Sequence, residues 1–274
     1  MSKRNTWENK QSARERLKAE RERQAKKDKT KRQLIVGGSL VGVLAVAAGI
    51  AVAVTQMGGG SGSNSEWSAA AKKTLVKPAN TSGENGTEIV IGDKNAKHTL
   101  EVYQDMRCPI CSVFEQNVGP TIDKDVKDGT FKVSYHIGAF LDRNLGGTGA
   151  KNALSAVGAA LNVSPEAFTE YNKALYAKEN HPEETKDDFA KDDTLLKIAQ
   201  QVPALKGNKD FEKNVKDGTF DKWALTVSDA FDKNKDITGT PTIKLDGKKL
   251  TAEGSQNPPM TADQFTAAVK AQIK

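Results

Sequence analysis

The only two cysteines of this chain, Cys108 and Cys111, lie two residues apart where a strand-like segment meets a helix-like segment. Residues 99–104 (TLEVYQ) have the β-branched and aromatic composition of a strand. Pro109 suits the first turn of a helix, and the residues after it place apolar side chains at helical spacing. The cysteines are therefore predicted at the amino-terminal end of a helix that directly follows a strand, which requires an α/β fold.

A cysteine pair with this spacing serves as a structural crosslink, as half of a metal site, or as a reactive pair. A disulfide across two residues closes a very small loop and constrains little of the unfolded chain. A structural zinc ion needs about four ligands, and His98, His136 and His181 form no recognisable ligand spacing with the cysteines. The sequence therefore favours a reactive pair and predicts no metal site.

The segments around the cysteines alternate between strand and helix patterns. Strand composition is found at Ile89–Ile91 and at 131–140. Pro120 is expected to kink or divide the helix that starts at the cysteines. A helical block is predicted at about 142–236. It is followed by strand-like residues 241–245, a turn, residues 248–251 and a last helix over 261–273.

Charge is distributed unevenly along the chain. Residues 1–33 carry 13 Lys/Arg against 5 Asp/Glu, a net +8, whereas the whole chain has +6. The remainder is close to neutral, which argues against nucleic-acid binding.

Residues 34–54 contain no charge, and 21 residues at about 1.5 Å each span roughly the 30 Å core of a bilayer. We therefore predict a basic cytoplasmic tail, 1–33, and a transmembrane anchor, 34–57.

The basic tail also fixes the predicted orientation. Lys/Arg-rich flanks stay in the cytoplasm, so we expect a single-pass cell-membrane protein whose remaining chain is extracytoplasmic, in an oxidising compartment. The alternative is a cleaved signal peptide ending near Ala51-Val52-Ala53, but the apolar and basic segments are longer than such peptides have. Residues 58–85 are predicted to be a flexible linker, with a short helix over 66–76 as the alternative for part of it.

The domain at 86–274 resembles the DsbA family of thiol–disulfide oxidoreductases, in the membrane-anchored bacterial form. The resemblance rests on IVIGDKNAKHTLEVYQDMRCPIC, then GAFLDR, then ITGTPTIKLDGKKL, in that order. It implies a thioredoxin-like fold with an inserted helical domain. It also implies that Cys108 is the exposed nucleophile and that Cys111 is the buried resolving partner. The bond between Thr240 and Pro241 would be cis, which turns the Thr240 backbone toward a bound substrate peptide. The redox-active disulfide would then be the only redox group, with no cofactor.

The surroundings of Cys108 set its expected reactivity. Backbone N–H groups at a helix amino terminus lower the pKa of a cysteine placed there. Arg107 is either a second stabiliser of the thiolate or a solvated side chain. Strongly oxidising members of the family carry a histidine between their cysteines, whereas this chain has Pro109 and Ile110 there. We therefore expect a reduction potential between about −120 and about −270 mV.

A buried proton-relay carboxylate is not predicted. Many thioredoxin-like proteins place such an acid six residues before the first cysteine, but Val102 occupies that position here. Glu101, beside it, is expected on the opposite face of the strand. Asp105 is expected to cap the end of the strand rather than to take part in catalysis.

The predicted function is disulfide exchange with exported proteins that are unfolded or contain cysteines. A reductase or isomerase on the same scaffold is the first alternative. A thioredoxin-fold module that binds protein partners without catalysis is the second, and the intact cysteine pair counts against it. The resemblance also implies a membrane redox partner that recharges the disulfide, either a DsbB-like or a vitamin K epoxide reductase-like protein.

Overall fold

The computed structural model describes residues 61–273. The predicted cytoplasmic tail, 1–33, and the predicted anchor, 34–57, lie outside these residues. Across 61–273, no helix is both long and apolar enough to cross a membrane.

Within 61–273, the strands form one mixed sheet in the order β1-β3-β2-β4-β5. Its central pair, β2 and β3, is parallel, and the other pairs are antiparallel. The parallel pairing aligns Asp105, at the end of β2, with Gly138, at the end of β3, so both connections leave the sheet at the same edge. The strands are β1 (Ile89–Ile91), β2 (Thr99–Asp105), β3 (Lys132–Gly138), β4 (Thr242–Leu245) and β5 (Lys248–Lys249).

Helices precede, interrupt and follow the sheet. The helix that carries the cysteines connects β2 to β3, and a block of helices connects β3 to β4. The helices are α1 (Ser61–Ala70), α2 (Pro109–Lys127), α3 (Phe140–Leu145), α4 (Gly149–Val163), α5 (Pro165–Tyr176), α6 (Asp192–Ala199), α7 (Lys209–Lys216), α8 (Asp221–Asp232) and α9 (Ala262–Gln272), with a 3-10 turn at Asp188–Ala190. The predicted helical insertion at 142–236 thus corresponds to helices that begin at Phe140 and end at Asp232.

Helix α2 begins where the sequence predicts, with Cys108 as its N-cap and Pro109 in its first turn. Pro120 was predicted to kink or divide this helix; division is wrong, because α2 continues to Lys127, and the kink stays a prediction. Proline removes one intrahelical hydrogen bond. The apolar face on either side of it remains buried, through Phe114, Val118 and Ile122, and tertiary packing holds the turns together.

The predicted flexible linker is wrong for its described part. Residues Ser61–Ala70 form α1, which begins before and ends before the alternative helix predicted over 66–76. Trp67 and Ala70 are buried in the core, and farther along the Asn80 amide donates to the Leu161 carbonyl at 2.8 Å. Glycine and serine favour a loose chain, but burial of one tryptophan outweighs that local preference.

Helix α4 is the centre of the insertion. All five of its alanines are buried. A Cβ atom at Gly158 would lie 2.6 Å from the ring of Trp223, so only glycine fits there. The Trp223 indole N–H in turn donates to the Gly86 carbonyl at 2.7 Å, which joins the insertion to the segment before β1.

Candidate active site

The cysteines lie where β2, α2 and the start of β4 meet. The Thr240–Pro241 peptide bond is cis, as the resemblance implied. The Cys108 thiol donates to the Thr240 carbonyl at 3.6 Å between sulfur and oxygen. The structure thus brings together four of the predicted site residues, which the sequence separates by 129 positions between Cys111 and Thr240.

Cys108 has the features of the attacking thiol. As the N-cap of α2, its sulfur accepts from the Cys111 N–H at 3.4 Å. The pKa of Cys108 is lowered from 9.0 to about 7, first by the hydrogen bond from the Cys111 thiol and then, against the cost of burial, by the side chain of Thr240 and the N–H groups of Cys111 and Ile110. This pKa gives a substantial thiolate fraction at neutral pH.

One expectation for Cys108 is wrong: its side chain is not exposed. It is 6% exposed, because its sulfur turns inward toward the Cys111 N–H and the Thr240 carbonyl. Cys111 is 2% exposed, and both thiols are free. Burial, then the hydrogen bond and charge of Cys108, raise the pKa of Cys111 well above its usual value. The two thiols therefore differ in acidity far more than in exposure.

Arg107 is buried, and its guanidinium bonds to acceptors of the helical insertion. It is 2% exposed, so the alternative of a solvated side chain is wrong. Its guanidinium donates to Asp142 at 3.0 Å, to the Gly146 carbonyl at 2.7 Å and to the Glu184 carbonyl at 3.1 Å. It also pairs with Asp187 at 3.2 Å. Any effect of Arg107 on the thiolate is consequently indirect.

Asp105 is the functional candidate that the sequence pattern missed. It is fully buried, and its carboxylate accepts from the backbone N–H of Arg107 at 2.9 Å and of Leu141 at 3.1 Å. Burial raises its pKa to about 7, and the charges of Asp142 and Cys108 add to that effect. Capping of the strand end is thus confirmed. What no sequence pattern indicates is that this cap is a buried acid near the reactive thiol.

The carboxylate beside the family's usual acid position has a different role. Glu101 accepts from the Tyr103 hydroxyl at 2.7 Å and from the Gly247 N–H at 3.1 Å. Val102 is buried on the other face of the strand. Glu101 therefore stabilises the strand surface and the β4–β5 turn, and it has no part in the cysteine site.

The three histidines contact different side chains. His98 pairs with Asp246, His136 stacks on Tyr103, and His181 stacks on Tyr176. Among the described residues, no group of three or more His, Cys, Asp or Glu side chains is arranged to hold a metal ion.

Two large apolar side chains are exposed beside Cys108. Ile110 is 39% exposed and Val113 is 43% exposed. They stand three positions apart on the first turn of α2, so they lie on one face of it. Pro109 precedes them in the same turn. The surface next to the reactive thiol is thus apolar and uncharged at these positions.

The sequence of this chain is similar to a known protein family and to known proteins. It matches the family model described as Thioredoxin over residues 84–271. Disulfide bond formation protein D from Bacillus subtilis is 26% identical over 162 residues, 59% of this chain and 68% of that protein. The serine/threonine-protein kinase PknE from Mycobacterium tuberculosis is 28% identical over 121 residues, 42% of this chain and only 21% of the kinase.

The solved structure of oxidised BdbD from Bacillus subtilis shares the fold. It has a TM-score of 0.55 and 21% identity, and the match covers 72% of this chain and 99% of that chain. These findings confirm the resemblance that the cysteine motif indicated. Because the family match includes both cysteines and the cis-proline loop, the chain belongs to the thioredoxin family, with disulfide oxidoreductases among its relatives.

Proposed function

We propose that this protein is a membrane-anchored, extracytoplasmic oxidoreductase that exchanges disulfides with exported proteins through Cys108 and Cys111. Its activity is that of a DsbA-like thiol–disulfide oxidoreductase. The location, the direction of exchange and the partners are the proposed part.

The observation that carries the proposal is the asymmetry of the two thiols. Cys108 has a pKa of about 7, whereas the pKa of Cys111 is raised well above its usual value. The sulfur with the lower pKa is the better leaving group from a disulfide, so a mixed disulfide between Cys108 and a substrate is readily cleaved with Cys108 leaving as a thiolate. Cys108 is therefore assigned to the mixed disulfide, and Cys111 is the second thiol of the pair.

The exchange then proceeds in two displacements. A substrate thiolate attacks Cys108, forming a mixed disulfide while the bond to Cys111 breaks and Cys111 takes up a proton. A second substrate thiolate attacks the substrate sulfur of this mixed disulfide, and Cys108 leaves as a thiolate. The substrate is oxidised by two electrons and the enzyme pair is reduced by two. The cysteine pair alone is the proposed redox centre, without a metal or an organic cofactor.

Thr240 and Pro241 are proposed to receive the substrate backbone. The Thr240 carbonyl lies 3.6 Å from the Cys108 sulfur, so a chain bound there is next to the reactive atom. Ile110 and Val113, which follow Cys108 in α2, offer exposed apolar side chains. Unfolded segments expose apolar side chains together with their cysteines, which suits such a surface.

An oxidase needs a partner that removes two electrons after each turnover. We propose a DsbB-like or vitamin K epoxide reductase-like membrane protein for this step. The uncharged run at 34–54, preceded by the basic tail, supports a position at the membrane where such a partner is reached. A reductase or isomerase would instead be kept reduced.

The test is trapping in cells that express the full chain. Cys111→Ala is expected to accumulate mixed disulfides with exported proteins, whereas Cys108→Ala accumulates none. Equal trapping by both variants would refute the assigned roles. Refolding of reduced ribonuclease compared with reduction of insulin, using the purified full chain, separates an oxidase from a reductase.

The anchor has its own measurement. The full chain is expected to remain in the membrane fraction after alkaline extraction, and protease added outside intact spheroplasts is expected to cut the catalytic domain. Release of the domain by alkali would contradict the anchor and leave the redox assignment intact.

A further inference from the structure

Asp105 and Arg107, three positions and one position before Cys108, form a closed ring of hydrogen bonds with the first turn of α3. One carboxylate oxygen of Asp105 accepts from the Arg107 N–H at 2.9 Å, and the other accepts from the Leu141 N–H at 3.1 Å. The Arg107 guanidinium returns to the side chain of Asp142 at 3.0 Å. Asp105, Arg107, Leu141 and Asp142, called the cysteine-loop ring below, thus fix the backbone directly before Cys108.

The ring is buried and extends into the helical insertion. Arg107 and Asp142 have side chains that are each 2% exposed. Asp142 also accepts from the N–H groups of Ala150 and Lys151 at the start of α4. Asp187, the second acidic partner of Arg107, accepts from the Thr148 and Gly149 N–H groups. Arg107 therefore neutralises two carboxylates that cap the central helix of the insertion.

We infer that the cysteine-loop ring positions the Cys108 sulfur for exchange, with Arg107 acting through its directed hydrogen bonds and not through its charge. The inference rests on the disulfide exchange of the proposed function. The Cys108 sulfur accepts from the Cys111 N–H only while Cys108 remains the N-cap of α2. A loop freed from α3 allows other backbone positions at Cys108, and the thiolate then loses those donors.

A direct charge effect fits the contacts poorly. The Arg107 charge is balanced locally by Asp142 and Asp187, at 3.0 and 3.2 Å. The interactions that lower the pKa of Cys108 come from Cys111, Thr240 and Ile110. Arginine in a planar, multiply bonded setting is poorly replaced by lysine, which offers a point charge without the fork of donors. Arg107→Lys therefore keeps the positive charge but removes the fork of hydrogen-bond donors that holds the loop.

Other titratable groups face the ring from the packed elements. The Tyr176 hydroxyl, from α5, donates to the Asp105 carbonyl at 2.9 Å. His181 stacks on Tyr176 with 5.4 Å between ring centroids, and burial lowers the pKa of this histidine. Cys108 itself raises the pKa of Asp105. Each variant is therefore titrated over the full range from acid to alkaline pH, so that these groups are separated from Cys108.

The experiment compares Arg107→Lys and Asp142→Asn in the full chain. The measurements are thiolate absorbance against pH and the redox equilibrium with glutathione. Both variants are expected to raise the pKa of Cys108 by about half a unit or more, which lowers the thiolate fraction below the pKa about threefold. Both are expected to shift the glutathione equilibrium toward the disulfide form, because the reduced form is stabilised less.

The charge explanation predicts a different pair of results. Arg107→Lys would then leave the pKa of Cys108 unchanged, and Asp142→Asn would lower it by freeing a positive charge. Either result overturns the inference. Asp187→Asn is the milder variant if the others do not fold, since that carboxylate is 32% exposed, and it is expected to shift the pKa in the same upward direction.

The chain offers a matched control on the same helix. Arg143, next to Asp142 in α3, pairs with Asp232 at 2.8 Å on the surface and makes no bond to the cysteine loop. Arg143→Lys and Asp232→Asn are expected to leave the pKa of Cys108 and the glutathione equilibrium unchanged. Shifts in these controls equal to those at Arg107 would refute the ring as the cause. A wild-type chain that does not exchange with glutathione would instead refute the proposed function.

Discussion

Replacing the resolving cysteine is expected to change the acidity of its partner as well as to block resolution. The hydrogen bond from the Cys111 thiol is the largest influence that lowers the pKa of Cys108. Cys111→Ala removes this donor, while Thr240 and the N–H groups of positions 110 and 111 remain. The pKa of Cys108 should therefore rise, but it should stay below the ordinary value of a cysteine.

The structure bounds the size of this rise. The pKa of Cys108 is lowered from 9.0 to about 7, and two pKa units correspond to about 2.7 kcal/mol in favour of the thiolate. Four hydrogen bonds lower this pKa against the cost of burial, so the largest of them, from the Cys111 thiol, should account for at least about half a unit, or about 0.7 kcal/mol. The thiolate fraction well below the pKa should accordingly fall at least about threefold.

Thiolate absorbance against pH measures the change directly, and alkylation rates against pH provide an independent check. Cys111→Ser is the matched control, because a hydroxyl still donates to the Cys108 thiolate, and its shift should be smaller than that of Cys111→Ala. A pKa in Cys111→Ala equal to the wild-type value, or equal shifts in both variants, would show that the thiol hydrogen bond is not what acidifies Cys108.

Two further predictions concern poise and stability. Ile110→His should raise the reduction potential and lower the pKa of Cys108 together, because a cationic neighbour stabilises the thiolate; a glutathione titration that shows no change in potential would contradict this. Glu115 is buried and its pKa is raised from 4.5 to about 7, chiefly by burial. A raised carboxyl pKa means that the folded state binds the proton more tightly, so stability falls as pH rises from about 4.5 to about 7. Glu115→Gln, whose amide still accepts from Asn172, should lack this loss. Its unfolding free energy relative to wild type should increase by up to about 3 kcal/mol across that range, and denaturant titrations with a pH-independent difference would refute it.

Local pattern was sufficient for most of the sheet and for the cysteine site. The β-branched and aromatic composition of residues 99–104 predicted β2 to within one residue of its observed end at Asp105. The junction of strand, Cys108 and Pro109 predicted the start of α2, since capping and proline preferences depend on adjacent residues. The cis bond before Pro241 was predicted only through the resemblance, because the sequence Gly239-Thr240-Pro241 alone is more typical of an ordinary turn.

Features that depend on distant contacts were not accessible in the same way. Arg107 was ambiguous in the sequence because its partner Asp142 is 35 positions away, and nothing in the pattern of either segment indicates the pairing. The glycine- and serine-rich start of α1 predicted a loose chain, since composition does not reveal that Trp67 is buried. Asp105 was predicted as a cap, but its burial depends on helices that follow later in the chain.

The insertion contributes to the chemistry of the cysteines themselves, and Tyr176 shows how. At the end of α5, its carbonyl accepts from the Ser112 hydroxyl at 2.7 Å, and its hydroxyl donates to the Asp105 carbonyl at 2.9 Å. Burial raises the pKa of Tyr176, and the nearby charge of Cys111 raises it further. This residue therefore forms a wall over the first turn of α2. Because burial is also the main cause of the raised pKa of Cys111, the helices between β3 and β4 help to create the asymmetry that exchange requires.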